Sequence, residues 1–312
     1  MKKLSVVVCV YNEELNIKPL VEQITDVLEG KIDYEIIYVD DGSTDRTVEE
    51  ILKLRHPKLT LIEFSKNFGQ SSALAAGISH ATAEYIVLLD GDLQNDPSDI
   101  PAMLEKAEKE DWDVVAGERL KRKDGFILRK IPSWIANSII RKTTNVRIKD
   151  WGCTLKVFKS DVAKNLGLYG ELHRFIPVLA SFNGATITQV GVKHHPRKFG
   201  KAKYGMGRTF KVISDLMLML FFKKYLQRPM HLFGTWGILI AMAGVVINLY
   251  MLVLKILGND IWGRPLLLLG VLLLIGGFQL VTIGIIAELL MRTYFESQDK
   301  APYIIKRITR SE

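Results

Sequence analysis

The sequence predicts an α/β fold: a doubly wound, mostly parallel sheet, followed by interfacial helices and a two-helix transmembrane hairpin. Three observations predict it. Short β-branched and aromatic runs alternate with helical patterns as far as Ala116, the signature of a sheet with helices on both faces. Two of those runs stop abruptly at acidic clusters, where strands feed loops. Beyond Arg228 charge nearly disappears from two long apolar stretches, Met230 to Leu257 and Pro265 to Leu290.

Leu4 to Val10 reads as the first buried strand, and Asn12 to Leu28 as a helix with Leu15, Leu20, Ile24, Val27 and Leu28 on one face. Tyr34 to Val39 is the second strand, after which Ser43 or Thr44 can cap a helix carrying Val48, Ile51 and Leu52. Leu59 to Phe64 is the third strand and Tyr85 to Leu89 the fourth, with an Ala- and Ser-rich helix from Gly69 to His80 between them. Asp99 to Lys109 is a further helix and Trp112 to Ala116 a further strand. Lys121 to Asp150 mixes basic residues with Phe126, Ile127, Ile131, Trp134 and Ile135; a helix on a membrane surface and an ordinary helix packed on the sheet both fit. Thr209 to Leu226 favours the interfacial reading, because it leads straight into the first apolar stretch.

The acidic clusters are Asp40-Asp41-Gly42-Ser43 and Asp90-Gly91-Asp92-Leu93-Gln94. Ligands of open α/β sheets bind at the carboxyl ends of the strands. Two carboxylates two residues apart at such a place suit a hard divalent cation, which in turn suits a substrate diphosphate.

Each apolar stretch exceeds the roughly 20 residues that cross a bilayer core, and the short connection between them contains Trp262. Lys223, Lys224 and Arg228 precede the first span, and Arg292, Lys300, Lys306, Arg307 and Arg310 follow the second. Both flanks, and with them both termini and the amino-terminal domain, are therefore expected on the cytoplasmic face of the inner membrane. The expected organisation is a catalytic domain over 1–208, an interfacial amphipathic helix over 209–228, two spans within 229–291 and a basic tail over 292–312. The start of the chain is not expected to be a signal peptide, since its apolar run is short and lacks a small-residue cleavage site. The cysteines Cys9 and Cys153 fit a reducing compartment. The net charge of +8 comes without a nucleic-acid motif, so anionic headgroups rather than nucleic acid are its expected partner. Gly234, Gly237, Ala241 and Gly244 form a small-residue stripe that allows either a homo-oligomer or close packing of the partner helix.

Taken together, Val8-Cys9-Val10-Tyr11-Asn12-Glu13-Glu14, Asp40-Asp41-Gly42-Ser43, Ser65-Lys66-Asn67-Phe68-Gly69, Asp90-Gly91-Asp92-Leu93-Gln94, Gly152-Cys153-Thr154-Leu155-Lys156 and Lys198 to Tyr204 resemble family-2 glycosyltransferases of the polyprenyl-phosphate type, which have a GT-A-like sheet. The likeness covers nearly the whole chain. It implies transfer of one hexose, with inversion, from a nucleoside diphosphate sugar to a polyprenyl phosphate lipid. UDP-glucose or a similar donor is favoured, with GDP-mannose as the alternative. It implies that Val10, Tyr11, Glu13, Asp40, Asp41, Lys66, Gly69 and Asp90 bind the nucleotide sugar. Asp90, Asp92 and Gln94 would hold Mg²⁺ or Mn²⁺, and Asp92 would be catalytic.

The acceptor needs little general base, because a phosphate monoester with a second pKa of about 6 is already an oxyanion. Cations that position it matter more. Arg119, Arg122, Arg174, Arg197 and Lys203 are the candidates, whereas Lys201 reads as a solvated charge. Asp150 is named as a base or an acceptor-orienting carboxylate. His194 and His195 are adjacent and cannot share a strand face; a loop role near the lipid headgroup fits them better than a metal. A processive synthase is disfavoured by the lack of a Gln-x-x-Arg-Trp motif, and a non-catalytic membrane scaffold by the intact acidic clusters.

Overall fold

The computed structural model describes residues 2–120, 148–168, 170, 172–199, 229–296 and 305–310. It divides into two compact units, Met1–Asp215 with Pro302–Glu312, and Leu216–Ala301.

The first unit is built on an eight-stranded sheet in the order β7-β5-β6-β4-β1-β2-β3-β8. Its strands are β1 (Leu4–Val10), β2 (Tyr34–Asp40), β3 (Leu59–Phe64), β4 (Tyr85–Asp90), β5 (Val114–Arg119), β6 (Lys156–Lys159), β7 (Ile187–Val192) and β8 (Ile305–Arg310). The helices are α1 (Ile17–Leu28), α2 (Thr47–Lys53), α3 (Gln70–His80), α4 (Ile100–Lys109), α5 (Ser160–Lys164) and α6 (Ile176–Phe182). The central strands run parallel, β3-β2-β1-β4, while β6 lies antiparallel between β4 and β5. The strands of the centre read as continuous apolar runs because both faces are covered. Val6 and Val8 pack with Leu20, Ile24 and Met103 on one side, and Val7 packs with Ile37, Ala73 and Ala76 on the other.

Two boundaries differ from the sequence expectation for physical reasons. The first helix begins at Ile17, not Asn12, because Asn12 takes a φ of 51°, outside the helical region, where Asn12 and Glu13 donate their backbone N–H groups to Ser43 Oγ and Thr47 Oγ1 at 2.8 and 2.9 Å. The fifth strand runs on to Arg119, since β7 pairs with it along its whole length. The expected basic tail is corrected as well. The last long helix continues to Glu296, and Ile305–Arg310 returns to the first unit, pairing antiparallel with β3 at the sheet edge. The segments 121–147 and 200–228, with their interfacial readings, lie outside the described residues.

The second unit is a hairpin of α7 (Pro229–Ile256) and α8 (Pro265–Glu296). Of the most apolar windows of these helices only 17% and 11% is buried, unlike a core helix of a soluble domain. The small-residue stripe packs on the partner helix: a Cβ at Gly237 would stand 2.7 Å from the Gly277 carbonyl, and one at Gly244 2.8 Å from that of Gly270.

Candidate functional site

The site follows from strand order. The chain runs from β1 to β2 to β3 on one side and then places β4 on the other side of β1, which makes the carboxyl end of β1 a topological switch point. Val10 pairs with Asp40 and Cys9 with Asp90, so both acidic clusters open beside one another there.

On the β2 side, Asp40 and Asp41 divide their work. Asp40 accepts from the backbone N–H of Ser43 through Oδ2 at 3.0 Å, while its Oδ1 is buried with no partner among the described residues. Asp41 was expected to face base and ribose. It is turned onto the next loop, accepting from the N–H groups of Phe68 and Gly69 at 2.7 and 3.0 Å. That loop sits against Gly42, where a Cβ would lie 2.4 Å from the Lys66 carbonyl carbon at a φ of +74°; only glycine fits. Burial pushes both carboxyls above the usual range, against the pull of these hydrogen bonds. Of the remaining nucleotide candidates, Val10 is buried under Gly91, Tyr11 is half-buried and Gly69 opens α3 at positive φ. Lys66 is exposed, its Nζ 5.2 Å from the Phe68 ring centroid.

On the β4 side, Asp90 accepts from Gln70 Nε2 at 2.8 Å and from Thr154 Oγ1 at 2.6 Å. Burial, with the charge of Asp92 adding to it, pushes its carboxyl up to about 6. Asp92 accepts from the Gln94 N–H at 3.2 Å through Oδ1 and from Arg197 Nη2 at 3.2 Å through Oδ2. Gln94 also meets the stretch after β7, its carbonyl accepting from the His195 N–H at 2.8 Å. Among the described residues no group of three or more His, Cys, Asp or Glu side chains could hold a metal. Asp90 and Asp92 alone suit Mg²⁺ or Mn²⁺, which take one or two carboxylates and complete their shell with substrate phosphate and water.

Beyond β4 lie the cations. Arg119, at the end of β5, forms a fork with Asp150: Nε to Oδ2 at 2.6 Å and Nη2 to Oδ1 at 2.8 Å. Asp150 also accepts from the N–H groups of Arg119 and Gly152. Four donors on two oxygens suit a carboxylate that orients its arginine and ill suit a base. Gly152 lies beneath the guanidinium, and a Cβ there would stand 2.9 Å from Nη2, so the arginine would have to shift. Arg197 bridges Glu13 and Asp92. Arg122 and Lys203 lie outside the described residues, and Arg174 falls in the single turn Leu172–Phe175. His195 is on Asp96 at 3.1 Å, and His194 forms an isolated bridge with Asn95.

Sequence reasoning gave no role to Gln70, Thr154 or Lys156. Lys156 is buried, pairs with Leu88 of β4 and donates to the Cys153 carbonyl; burial lowers its pKa against the pull of Asp150 and Asp90. A lysine inside a β-strand flanked by apolar residues was the available signal.

The family model of Glycosyl transferase family 2 matches residues 5–164. The chain is 43% identical over 98% of its length, and 93% of the relative's, to dodecaprenyl-phosphate galacturonate synthase of Rhizobium johnstonii (strain DSM 114642 / LMG 32736 / 3841). It is 33% identical over 99% of its length, and 94% of the relative's, to undecaprenyl-phosphate 4-deoxy-4-formamido-L-arabinose transferase of Klebsiella pneumoniae (strain 342). Among solved structures, glucosyl-3-phosphoglycerate synthase of Mycobacterium tuberculosis with Mn²⁺ and UDP-glucose superposes with a TM-score of 0.56 at 15% identity, covering 71% of this chain and 79% of that one. At that identity the match speaks for the fold.

Proposed function

The chain belongs to glycosyl transferase family 2, and from that premise we propose that it moves one sugar from a nucleoside diphosphate to a polyprenyl phosphate at the inner membrane. The observation that supports the reading is the meeting of Asp40, Asp90 and Asp92 at one switch point, with Arg197 on Asp92. The buried Oδ1 of Asp40 is an acceptor in want of a donor, which a ring N–H of the nucleotide base supplies. A divalent cation on Asp90 and Asp92 would offset charge on the departing diphosphate.

The acceptor phosphate oxygen attacks C1 of the sugar from the face opposite the diphosphate. The new bond is C1 to phosphate oxygen, the broken one C1 to diphosphate oxygen, and the electron pair leaves with the nucleoside diphosphate. No proton needs removal. Arg119, held in one orientation by Asp150, and Arg197 bring the acceptor anion to the anomeric carbon, where like charges otherwise repel. The relatives of this chain are named for dodecaprenyl-phosphate galacturonate and undecaprenyl-phosphate formamidoarabinose. A UDP-uronic acid therefore stands ahead of UDP-glucose as donor.

The test uses purified protein, undecaprenyl phosphate, Mn²⁺ and a panel of labelled UDP- and GDP-sugars that includes UDP-galacturonic and UDP-glucuronic acids. One sugar should pass into organic solvent, and the label should vanish with EDTA and fall about 1,000-fold in Asp92→Ala. Label in lipid from no donor, despite nucleotide binding, would overturn the reading.

A further inference from the structure

Arg197 follows β7, a strand four places from β1 in the sheet, yet its guanidinium reaches the carboxyl ends of both β1 and β4. Its Nη2 lies 3.0 Å from Glu13 Oε1 and 3.2 Å from Asp92 Oδ2. These are enclosed contacts: the side chains of Arg197, Glu13 and Asp92 are 21%, 6% and 14% exposed. Glu13 is fixed independently of the arginine. Asn16 Nδ2 donates to its Oε2 at 2.6 Å, and its backbone N–H donates to Thr47 Oγ1 at 2.9 Å. Asp92 is fixed through Oδ1, which accepts from the Gln94 N–H at 3.2 Å. The oxygen left to meet a cation on Asp92 is thus the one that Arg197 occupies.

A divalent ion and a guanidinium cannot share that oxygen without strong repulsion. Glu13 meets the same nitrogen, Nη2, from the end of β1. We propose that Asp92 and Glu13 jointly hold Arg197 in the metal-free protein, and that a divalent cation takes Asp92 away from it. Glu13 then keeps its hold on Nη2, and the N–H released from Asp92 turns to the acceptor phosphate. Glu13 is on this account a positioning residue rather than a nucleotide contact. Donor with metal and lipid acceptor become coupled ligands, each tightening the other by the same factor. The exchange rests on the reading that the acceptor is a phosphate anion, but the competition for Asp92 does not.

Mn²⁺ binding to the full chain in detergent, followed by the loss of the free-ion electron paramagnetic resonance signal, tests the competition without turnover. Arg197→Lys keeps the positive charge but removes Nη2, the nitrogen that meets both carboxylates. It should bind Mn²⁺ about tenfold more tightly than the unaltered protein, and Arg197→Gln at least as tightly. Glu13→Gln should bind it more weakly, because a neutral amide competes less well than a carboxylate with Asp92 for Nη2. Unchanged Mn²⁺ affinity in Arg197→Lys would overturn the proposal by showing that the arginine acts only through space. Weaker binding in a folded Arg197→Gln, checked by its thermal transition, would overturn it by showing a mere brace.

The second arm is calorimetry with citronellyl phosphate, a short prenyl phosphate, with and without Mn²⁺ and UDP. Binding should tighten about tenfold with Mn²⁺ and UDP present, and this gain should be lost in Arg197→Lys and Glu13→Gln. Equal affinities with and without Mn²⁺ and UDP overturn the exchange. Failure of citronellyl phosphate to bind under any condition overturns the acceptor reading, while the Mn²⁺ titration still decides the competition.

Discussion

Asp150 shows how much a single carboxylate's neighbours decide about its role. With Arg119 forked across both oxygens and two backbone N–H groups besides, its value lies in holding a guanidinium still. Asp150→Asn keeps the shape but not the charge-assisted fork. The expected result is a fall in kcat of about 100-fold with donor KM and Mn²⁺ affinity nearly unchanged, read from steady-state kinetics. Unaltered kcat would remove Asp150 from the acceptor machinery.

Glu35 is the opposite case, a buried acid that only stabilises. Inside β2 it accepts from Ser5 Oγ at 2.6 Å, from Thr82 N–H and Oγ1 at 2.8 and 2.9 Å, and from Lys2 Nζ at 2.6 Å. Burial alone would raise its pKa, but these donors outweigh it and hold the carboxyl below its ordinary value of 4.5. A carboxyl whose folded pKa is depressed stabilises above its unfolded pKa, and the contribution is lost as pH falls through the folded one. Glu35→Gln should cost about 2 kcal/mol at neutral pH. In denaturant titrations at stepped pH that deficit should shrink below 4.5; a pH-independent deficit would refute the assignment.

Among elements, the hairpin depends on close backbone approach, because lipid supplies no hydrophobic drive to hold two apolar helices together. A Cβ at Gly277 would lie 2.5 Å from the Ala241 backbone nitrogen, and backbone cannot give way as a flexible side chain does. Gly277→Val is therefore expected to destabilise the hairpin by about 2 kcal/mol, measured by SDS titration in bicelles. Gly276, one residue away, has nothing within 4 Å of a built Cβ. Gly276→Val should leave the transition nearly where it was, which makes the pair its own control. At the sheet edge, β8 covers β3, and an uncovered strand edge invites pairing between chains. Truncation before Pro302 should lower the thermal midpoint by about 5 °C and promote aggregation in light scattering.

At the scale of the whole molecule, the chain leaves the first unit, forms the hairpin, and rejoins the same unit through β8. We propose that such a chain crosses the bilayer twice, as the basic residues on both flanks suggest. A cysteine placed at Asn259, in the hairpin connection, should therefore react with a membrane-impermeant maleimide added outside spheroplasts. Cys9 and Cys153 make a quiet background, because burial raises both thiols above their ordinary pKa. Labelling of Asn259→Cys only after lysis would exclude this topology.

The sequence by itself determined the central strands, the two acidic clusters at their ends and the two apolar helices. Each is written in local chemistry: β-branched runs buried on both faces, Asp-Gly turns, and spans long enough for a bilayer. The tertiary structure alone decided which carboxylate faces what. Asp40 and Asp41 are adjacent in the chain, yet one leaves an oxygen open and the other is spent on Phe68 and Gly69. Gln70 and Thr154 meet on Asp90 from separations of 20 and 64 residues, and Arg197 meets Glu13 across 184. The return of Ile305–Arg310 to β3 was equally hidden, because a short basic segment reads as a tail until a sheet edge is there to receive it. Side-chain partners across such separations depend on strand order and register, which no local pattern encodes.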